Sequence, residues 1–227
     1  MVAVFVIATI LVFLGVDYFV QRAERKGAVG RVPVPGPIRA LSRLWAKTIP
    51  GGVLLHPGHA WGILQPGGSL RMGADQLVMG AIGPVDRITT PAAGSAVRRG
   101  EPLLTLWRAD RSLHVMSPAD GRIGDVNAAV LERPGLALER LYEPGGWVVE
   151  LVPEGLETEI GRFKVAKDAL RYIQDEILRL KSFVVQGGLT PVGVPAAVAD
   201  GGDLAEGFLG ELENDAWTTF SRVFLKV

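Results

Sequence analysis

Histidines and carboxylates are the side chains in this chain that could supply acid–base or metal chemistry. The sequence has no cysteine, so disulfides, cysteine metal sites and thiol catalysis are excluded. The three histidines are His56, His59 and His114. His56 and His59 have a spacing that would suit a metal pair, but the Pro57-Gly58 step between them is typical of a turn and favours a structural role. We predict no metal site and no bound cofactor.

The carboxylates of the central region lie at turns, where acidic side chains commonly hydrogen-bond the backbone. They do not combine with a nucleophile and an oriented base into a catalytic set. Glycine pairs elsewhere lack the context of a phosphate-binding loop. The sequence therefore predicts a protein that is not an enzyme, with no catalytic residue. These carboxylates are Glu101, Asp110, Asp120 and Asp125.

The stretch WRADRSLHVMSPADG, residues 107–121, is the one around which the chain is organised. Alternation of apolar and polar residues through its middle indicates a strand that leaves a hairpin tip near Asp110. The Ser-Pro-Ala-Asp-Gly sequence that follows predicts a tight turn, because proline fixes φ and glycine accepts positive φ. His114 lies on this strand, where we expect solvent and Arg111 to be its neighbours.

The hairpin belongs to a predicted β domain, residues 53–155. Apolar runs are short there, and Gly or Pro turns interrupt them every ~8–12 residues, as in small sandwiches and barrels. Short helices are predicted near residues 73–79 and 128–131. The candidate strands are residues 62–64, 69–72, 86–89, 102–107, 112–116, 122–126 and 147–152.

Several motifs of this domain occur in the order found in the glycine cleavage system H protein. They are His59-Ala60-Trp61; Pro91, Gly94, Val97 and Gly100; Ser117-Pro118 with Gly121; Val126-Asn127; Pro134-Gly135-Leu136; Tyr142; and Gly146-Trp147. The domain therefore resembles that family. The resemblance implies a mainly β fold, an H-protein-like β-sandwich (a hybrid barrel) related to lipoyl and biotinyl carrier domains.

The resemblance also points to a missing residue. In the family, a lysine seven residues before the serine of the Ser-Pro turn carries lipoate through an amide, and Asp110 stands at that position here. A carboxylate cannot form this amide, and no lysine occurs between residues 53 and 153. Trp107 and Arg108 replace an acidic residue and a serine beside the site. We infer a retained scaffold that does not carry lipoate.

Residues 2–20 are almost wholly apolar, with Asp17 as their one charge. About 20 such residues at 1.5 Å each span a bilayer core of roughly 30 Å. The cations Arg22, Arg25 and Lys26 follow directly, which favours a cytoplasmic location for everything after them. We predict an uncleaved single-pass helix, residues 1–21, in the cell inner membrane with its N-terminus outside; the alternative is a buried helix of a soluble core. Anchor side chains include Phe5, Leu11, Phe13 and Tyr18.

Residues 22–52 form a Pro/Gly-rich linker with a possible short amphipathic helix over residues 38–47. Its apolar face contains Leu41, Leu44 and Trp45. Such a helix could lie on the membrane surface or pack against its own domain or a neighbouring subunit. The linker sequence leaves these alternatives open.

Three segments follow the β domain. Residues 156–184 have a single apolar stripe that predicts one long amphipathic helix, which would cover its own domain or meet a partner. Residues 185–203 are typical of an extended connector. Residues 204–227 predict an aromatic-rich helix for docking on a partner, with folding back on the β domain as the alternative. The stripe contains Phe163, Ala166, Leu170, Ile173, Ile177 and Leu180; the docking residues are Trp217, Phe220 and Phe224.

These features favour a non-catalytic, membrane-anchored accessory subunit that stabilises a photosynthetic or respiratory complex from the cytoplasmic face. The expected partners are subunits of that complex and the lipid bilayer, without lipoyl carriage. A formal net charge of zero argues against nucleic acid as a partner. An alternative is a docking or regulatory partner of lipoyl-dependent enzymes. A third hypothesis is a small-molecule binding module that uses the sandwich interior.

Overall fold

The computed structural model describes residues 44–45, 47–189 and 204–226, which belong to one structural unit. The predicted anchor with Phe5, Leu11, Phe13 and Tyr18, most of the linker and the greater part of the connector lie outside these residues. Among the helices that are described, none is long and apolar enough to cross a membrane. The membrane anchor therefore stays a prediction from the sequence.

The larger sheet of the described residues has seven strands. They are β1 (Val53–Leu55), β2 (Ala60–Leu64), β3 (Leu70–Ala74), β5 (Ala96–Val97), β8 (Gly121–Val126), β9 (Val149–Pro153) and β10 (Lys164–Val165). Their order in the sheet is β10-β1-β2-β3-β9-β8-β5, and all neighbouring strands are antiparallel. A bulge between Ile123 and Asp125 bends β8 against β9.

A second, three-stranded sheet contains the hairpin. It has the order β4-β6-β7 and comprises β4 (Arg87–Thr89), β6 (Pro102–Arg108) and β7 (Arg111–Met116). Leu106 and Leu113 are paired across the hairpin and are fully buried. Residues that alternate with them face outwards, as the period of two along a strand requires.

This architecture confirms the mainly β fold, and each of the seven predicted strands matches an observed one to within about two residues. The strands β1, β5 and β10 were not predicted. They are two or three residues long, so they present too little alternation for a periodicity argument.

A fully buried helix, α1 (Gln76–Ile82), lies between the sheets and the segments that flank them. Asp75 caps it by accepting hydrogen bonds from Leu77 N and Val78 N at 2.9 and 3.2 Å. It ends at Gly83, whose φ of 71° suits glycine. The helix was predicted three residues earlier, because β3 continues through residues that were assigned to it.

The remaining helices of the β domain are short: α2 (Ala128–Glu132), α3 (Leu136–Glu139) and α4 (Leu156–Ile160). Here α4 and α5 (Ala166–Val185) replace the single helix predicted over residues 156–184. The break occurs because β10 pairs with β1, with Val165 opposite Leu54. Sheet pairing therefore overrides helix propensity at this point.

The buried face of α5 agrees with the predicted stripe in the middle of the helix and differs at its start. Ile173, Ile177 and Leu180 are buried as predicted, together with Ala169 and Val184, whereas Ala166 and Leu170 are exposed. Phe163, the first residue of the stripe, is buried but precedes the helix. The face packs against β1 and β10 of the chain's own β domain, which is one of the two alternatives that the sequence left open.

The C-terminal segment, residues 204–226, contains a 3₁₀ helix (Phe208–Glu211) and α6 (Asn214–Phe224). Trp217, Phe220 and Phe224 are only 4%, 0% and 3% exposed. This corrects the prediction that the three rings face a partner. They are buried in the chain's own core, because α6 packs beside β7 and Phe224 lies edge-on to Phe183 of α5.

Leu44 and Trp45 of the linker are also buried. The Trp45 ring lies over Gly80 of α1, where a Cβ would be 2.6 Å from it, and its Nε1 donates to Leu204 O at 2.8 Å. Leu44 and Trp45 therefore pack on the chain's own domain and not on a membrane surface, which was the other alternative.

Candidate functional site

The hairpin formed by β6 and β7 closes through a two-residue turn, Ala109 and Asp110, between the paired residues Arg108 and Arg111. Ala109 has a φ of 53°, in the left-handed region that L residues seldom adopt. Its N–H donates to Asp86 Oδ2 at 2.7 Å, which fixes the turn against the start of β4. The tip, including Asp110, is exposed to solvent.

The two arginines beside the tip bind the C-terminal segment. Arg108 Nη1 donates to Gly207 O at 2.8 Å and to Ile82 O at 2.5 Å. Arg111 Nη2 donates to Gly210 O at 2.9 Å, and its Nη1 donates to Leu212 O. Both hairpin strands are thereby connected to residues about a hundred positions later in the chain.

Aromatic and backbone contacts extend this attachment. The Arg111 guanidinium lies 4.9 Å from the centre of the Trp217 ring, whose own Nε1 donates to Leu209 O at 2.7 Å. Gly207 N donates to Gly80 O at 2.7 Å and connects the segment to α1. One flank of the hairpin is therefore covered by residues 204–226.

The outward face of the three-stranded sheet carries a second group of side chains. The Arg87 guanidinium lies 4.4 Å from the centre of the Trp107 ring, and Trp107 Nε1 donates to Thr89 Oγ1 at 3.3 Å. His114 Nδ1 is 3.0 Å from Thr105 Oγ1, so its neighbour is this hydroxyl rather than the predicted Arg111.

The other two histidines lie in a buried polar cluster away from the hairpin tip. His59 Nδ1 is 2.8 Å from Asp75 Oδ2, and its Nε2 is 3.8 Å from Glu176 Oε2 on α5. His59 has a φ of 62°, consistent with the turn predicted before it. His56 accepts a hydrogen bond from Gly58 N at 3.0 Å instead of pointing to a shared metal position.

Tyrosines surround this cluster and remain protonated. The Tyr142 hydroxyl accepts from Gln76 N at 3.1 Å, and Tyr172 donates to Pro57 O at 3.0 Å. Burial, together with the Asp75 carboxylate, raises the pKa of both. Burial and the nearby Arg162 and Arg99 lower the pKa of His56 to about 4, which keeps it neutral. Over the described ranges, no group of three or more His, Asp or Glu could hold a metal ion.

The sequence did not reveal the partners of His59. Asp75 and Glu176 lie far from it along the chain, and only the fold brings them together. One local signal was present, because Asp75 directly precedes the apolar run of α1 and an aspartate there is typical of an N-cap.

A cavity of about 310 Å³ opens between β2, β3 and the loop before β9. The Arg71 guanidinium lies 4.7 Å from the centre of the Trp147 ring, and Arg71 Nε donates to Glu150 at 3.0 Å. A hydrogen bond from Ser69 contributes most to lowering the pKa of Glu150. The cavity is lined by Trp61, Ile63, Leu64, Gln65, Arg71, Glu143, Pro144 and Trp147.

Residues 56–176, slightly more than half of the chain, match the family model of the glycine cleavage H-protein. The chain belongs to the glycine cleavage H-protein family. The H-protein family is a lipoyl carrier rather than a catalyst, which is consistent with the prediction that this chain is not an enzyme. H-protein-like domains interact with lipoyl-dependent enzymes.

Individual H proteins are distant relatives. A probable glycine cleavage system H protein of Thermococcus gammatolerans is 24% identical over 123 residues, 54% of this chain and 90% of the relative. The protein of Stenotrophomonas maltophilia K279a is 27% identical over 104 residues, 45% and 79% of the two chains. The mitochondrial H protein of Mesembryanthemum crystallinum is 28% identical over 141 residues, 62% and 83%.

Among solved structures, a glycine cleavage system H protein from Mycobacterium marinum has 25% identity and a TM-score of 0.47, over 55% of this chain and 98% of that one. The H-protein match ends at residue 176, within α5. The C-terminal segment therefore lies beyond the matched residues.

Proposed function

We propose that this protein is a non-catalytic, membrane-anchored accessory subunit that uses an H-protein scaffold without lipoyl carriage. The observation that carries the proposal is Asp110 at the exposed tip of the hairpin, in the position where the family resemblance puts the lipoyl lysine. No lysine occurs between residues 53 and 153 that could replace it. A carboxylate offers no amine for the amide bond.

The neighbouring arginines support the same proposal. H-protein-like domains interact with lipoyl-dependent enzymes, and a carrier hairpin must be accessible to them. Here Arg108 and Arg111 bind carbonyl oxygens of the chain's own C-terminal segment. We assign a membrane location because residues 2–20 are apolar and are followed by the cations Arg22, Arg25 and Lys26.

The first experiment is the intact mass of the full chain after expression with active lipoylation enzymes. We expect the unmodified mass for the wild-type chain. A lipoyl adduct on the wild-type chain would refute the loss of carriage.

The second experiment extracts native membranes with a mild detergent and sizes the extract on a gradient. We expect this chain to migrate with a large assembly at fixed stoichiometry, and mass spectrometry then identifies the host, which we expect to be a photosynthetic or respiratory complex. Migration at the mass of one chain plus detergent would contradict the accessory role.

An alternative function is docking on lipoyl-dependent enzymes as a regulator. The observation that favours it is the partly exposed Trp107 beside Arg87, since tryptophan and arginine are the residue types that dominate interface energetics. Co-migration with such enzymes, lost on Trp107→Ser replacement, would support it. A Leu178→Ser variant, on the exposed side of α5, is the matched control.

A further inference from the structure

The C-terminal segment, residues 204–226, packs closely against the hairpin. Leu204, Leu209 and Phe220 are almost completely buried, so the segment is packed rather than loosely attached. Its polar contacts to the hairpin are made by backbone carbonyls that accept from guanidinium groups, which are charge-assisted hydrogen bonds.

Glycines make this contact possible. A Cβ on Gly207 would lie 2.5 Å from Arg108 Nη1, and a Cβ on Gly210 would overlap the same guanidinium. A Cβ on Gly83 would lie 2.6 Å from Gly207 Cα. The three glycines thus form a cradle around the Arg108 head group that any larger residue would fill.

The covered residues are the immediate neighbours of the tip. An enzyme that attaches a group to a tip residue must bring its reacting atoms to within ~3–3.5 Å of that residue, and it must grip the hairpin to do so. Arg108 and Arg111 lie on opposite strands next to the turn, and both are held by residues 207–212.

We propose that residues 204–226 are a built-in cover, which closes one flank of the hairpin to lipoyl-attaching and lipoyl-dependent enzymes while the tip stays exposed. This proposal rests on the proposed function, and it adds that the missing lysine is only one of two barriers to carriage. Restoring an amine at residue 110 would then be insufficient for efficient lipoylation.

The test starts from the full-length Asp110→Lys variant, treated with a lipoyl-protein ligase, lipoate and ATP. A second variant adds Gly210→Ala in the C-terminal segment, which displaces the Arg108 guanidinium without a further change in the hairpin sequence. The matched control adds Gly161→Ala instead, because a Cβ there has no atom within 4 Å. Acetylation by a small amine-reactive ester reports whether the amine introduced at position 110 is accessible in each variant.

We expect rapid acetylation of the introduced amine in all three variants. Lipoylation should be slow in Asp110→Lys and in its Gly161→Ala control, and about tenfold faster with Gly210→Ala, because the rate follows the uncovered fraction. Equal lipoylation of all three would overturn the proposal. Acetylation without lipoylation, even with Gly210→Ala, would also overturn it, because a displaced cover would then have made no difference.

A milder variant keeps the proposal testable if Gly210→Ala unfolds the whole protein. Trp217→Phe removes the N–H that donates to Leu209 O while keeping an aromatic ring in the core. Its addition to Asp110→Lys should also increase lipoylation, with thermal unfolding still cooperative. Failure of the proposed function would be detected by other measurements, namely the intact mass of the wild-type chain and its assembly in extracted membranes.

Discussion

At the scale of single residues, Asp75 has two structural roles at once. Its Oδ1 caps α1 through Leu77 N and Val78 N, and its Oδ2 contacts His59 Nδ1. A buried side chain with this many partners leaves several unpaired polar groups when it is removed, and such groups are costly. It is therefore a fold-determining residue beside His59, for which the sequence favoured a structural role over a metal site.

We predict that Asp75→Ala lowers the free energy of unfolding by about 2–5 kcal/mol, the sum of a lost helix cap and an unpaired buried imidazole. Asp75→Asn should have a smaller effect, because its carbonyl oxygen can still cap the helix. Urea denaturation measures both. The control is Asp168→Ala, whose exposed pair with Arg171 spans 3.7 Å. Equal effects of Asp75→Ala and Asp168→Ala would disprove this role.

A second prediction concerns His56, whose pKa falls from 6.5 to about 4 on folding, mainly because of burial. The unfolded chain therefore binds the proton first as the pH decreases. The contribution of neutral His56 to the free energy of unfolding is fully present above pH 6.5. It is lost as the pH falls from 6.5 to about 4, and the loss is roughly 3 kcal/mol at most. In His56→Asn this part of the pH dependence should disappear. Parallel stability curves for the two proteins would contradict the assignment.

At the scale of elements, the segments on either side of the β domain meet on α1. Trp45 packs over Gly80, and Gly80 O accepts from Gly207 N. Trp45 also donates to Leu204 O. The linker, α1 and the C-terminal segment thus form one packed layer.

This layer leads to a prediction for Gly80→Ala. The added Cβ would lie 2.6 Å from the Trp45 ring, and overpacking of this kind costs about 1–3 kcal/mol. Thermal unfolding should occur at a lower temperature, with increased proteolysis near Trp45. Gly161→Ala is the matched control and should behave as wild type. An unchanged midpoint for Gly80→Ala would show that the Trp45 contact is not formed.

The core position of α6 makes a further prediction. Phe220 is completely buried and stacks on Phe224 at 5.2 Å, so Phe220→Ala should cost about 3–5 kcal/mol. Leu178→Ala, at a position that is 60% exposed, should change stability by less than about 0.5 kcal/mol. If α6 instead docked on a partner, Phe220→Ala would impair assembly and leave the isolated chain as stable as before.

Elements with strong local patterns were predictable from the sequence. The hairpin strands alternate clearly, and the helix predicted within residues 204–227 is present as α6. The break before α5 was not predictable, since Lys164 and Val165 carry no strand signal and pair with β1 only because the fold brings β1 there. Aromatic spacing in α6 identified a buried face, but spacing alone cannot tell the chain's own core from a partner.

The residues of the site also differ in whether the sequence reveals them. Asp110 was identified from an ordered set of motifs, which fixes its place at the hairpin tip. The attachment of Arg108 and Arg111 to residues 207–212 has no sequence signature, because the acceptors are backbone carbonyls that every residue possesses.

At the scale of the whole molecule, the proposed membrane anchor of residues 1–21 implies a topology that can be tested, because the chain has no cysteine. Val2→Cys should react with a membrane-impermeant maleimide in intact spheroplasts. Asp110→Cys should react only after permeabilisation, because we place the H-protein domain in the cytoplasm. Removal of residues 1–21 should release the protein from membranes. Labelling of both cysteines from outside would contradict this orientation.

The separation between the hairpin and its cover has a consequence during synthesis. Arg111 contacts Gly210, 99 residues later. At translation rates of about 5–20 residues per second, the hairpin leaves the ribosome roughly 5–20 s before the segment that covers it. If residues 204–226 are the cover that we propose, the hairpin of every nascent chain is uncovered during that interval. Asp110 at the tip would then protect the chain, since a modifying enzyme that arrives early finds no amine at this position.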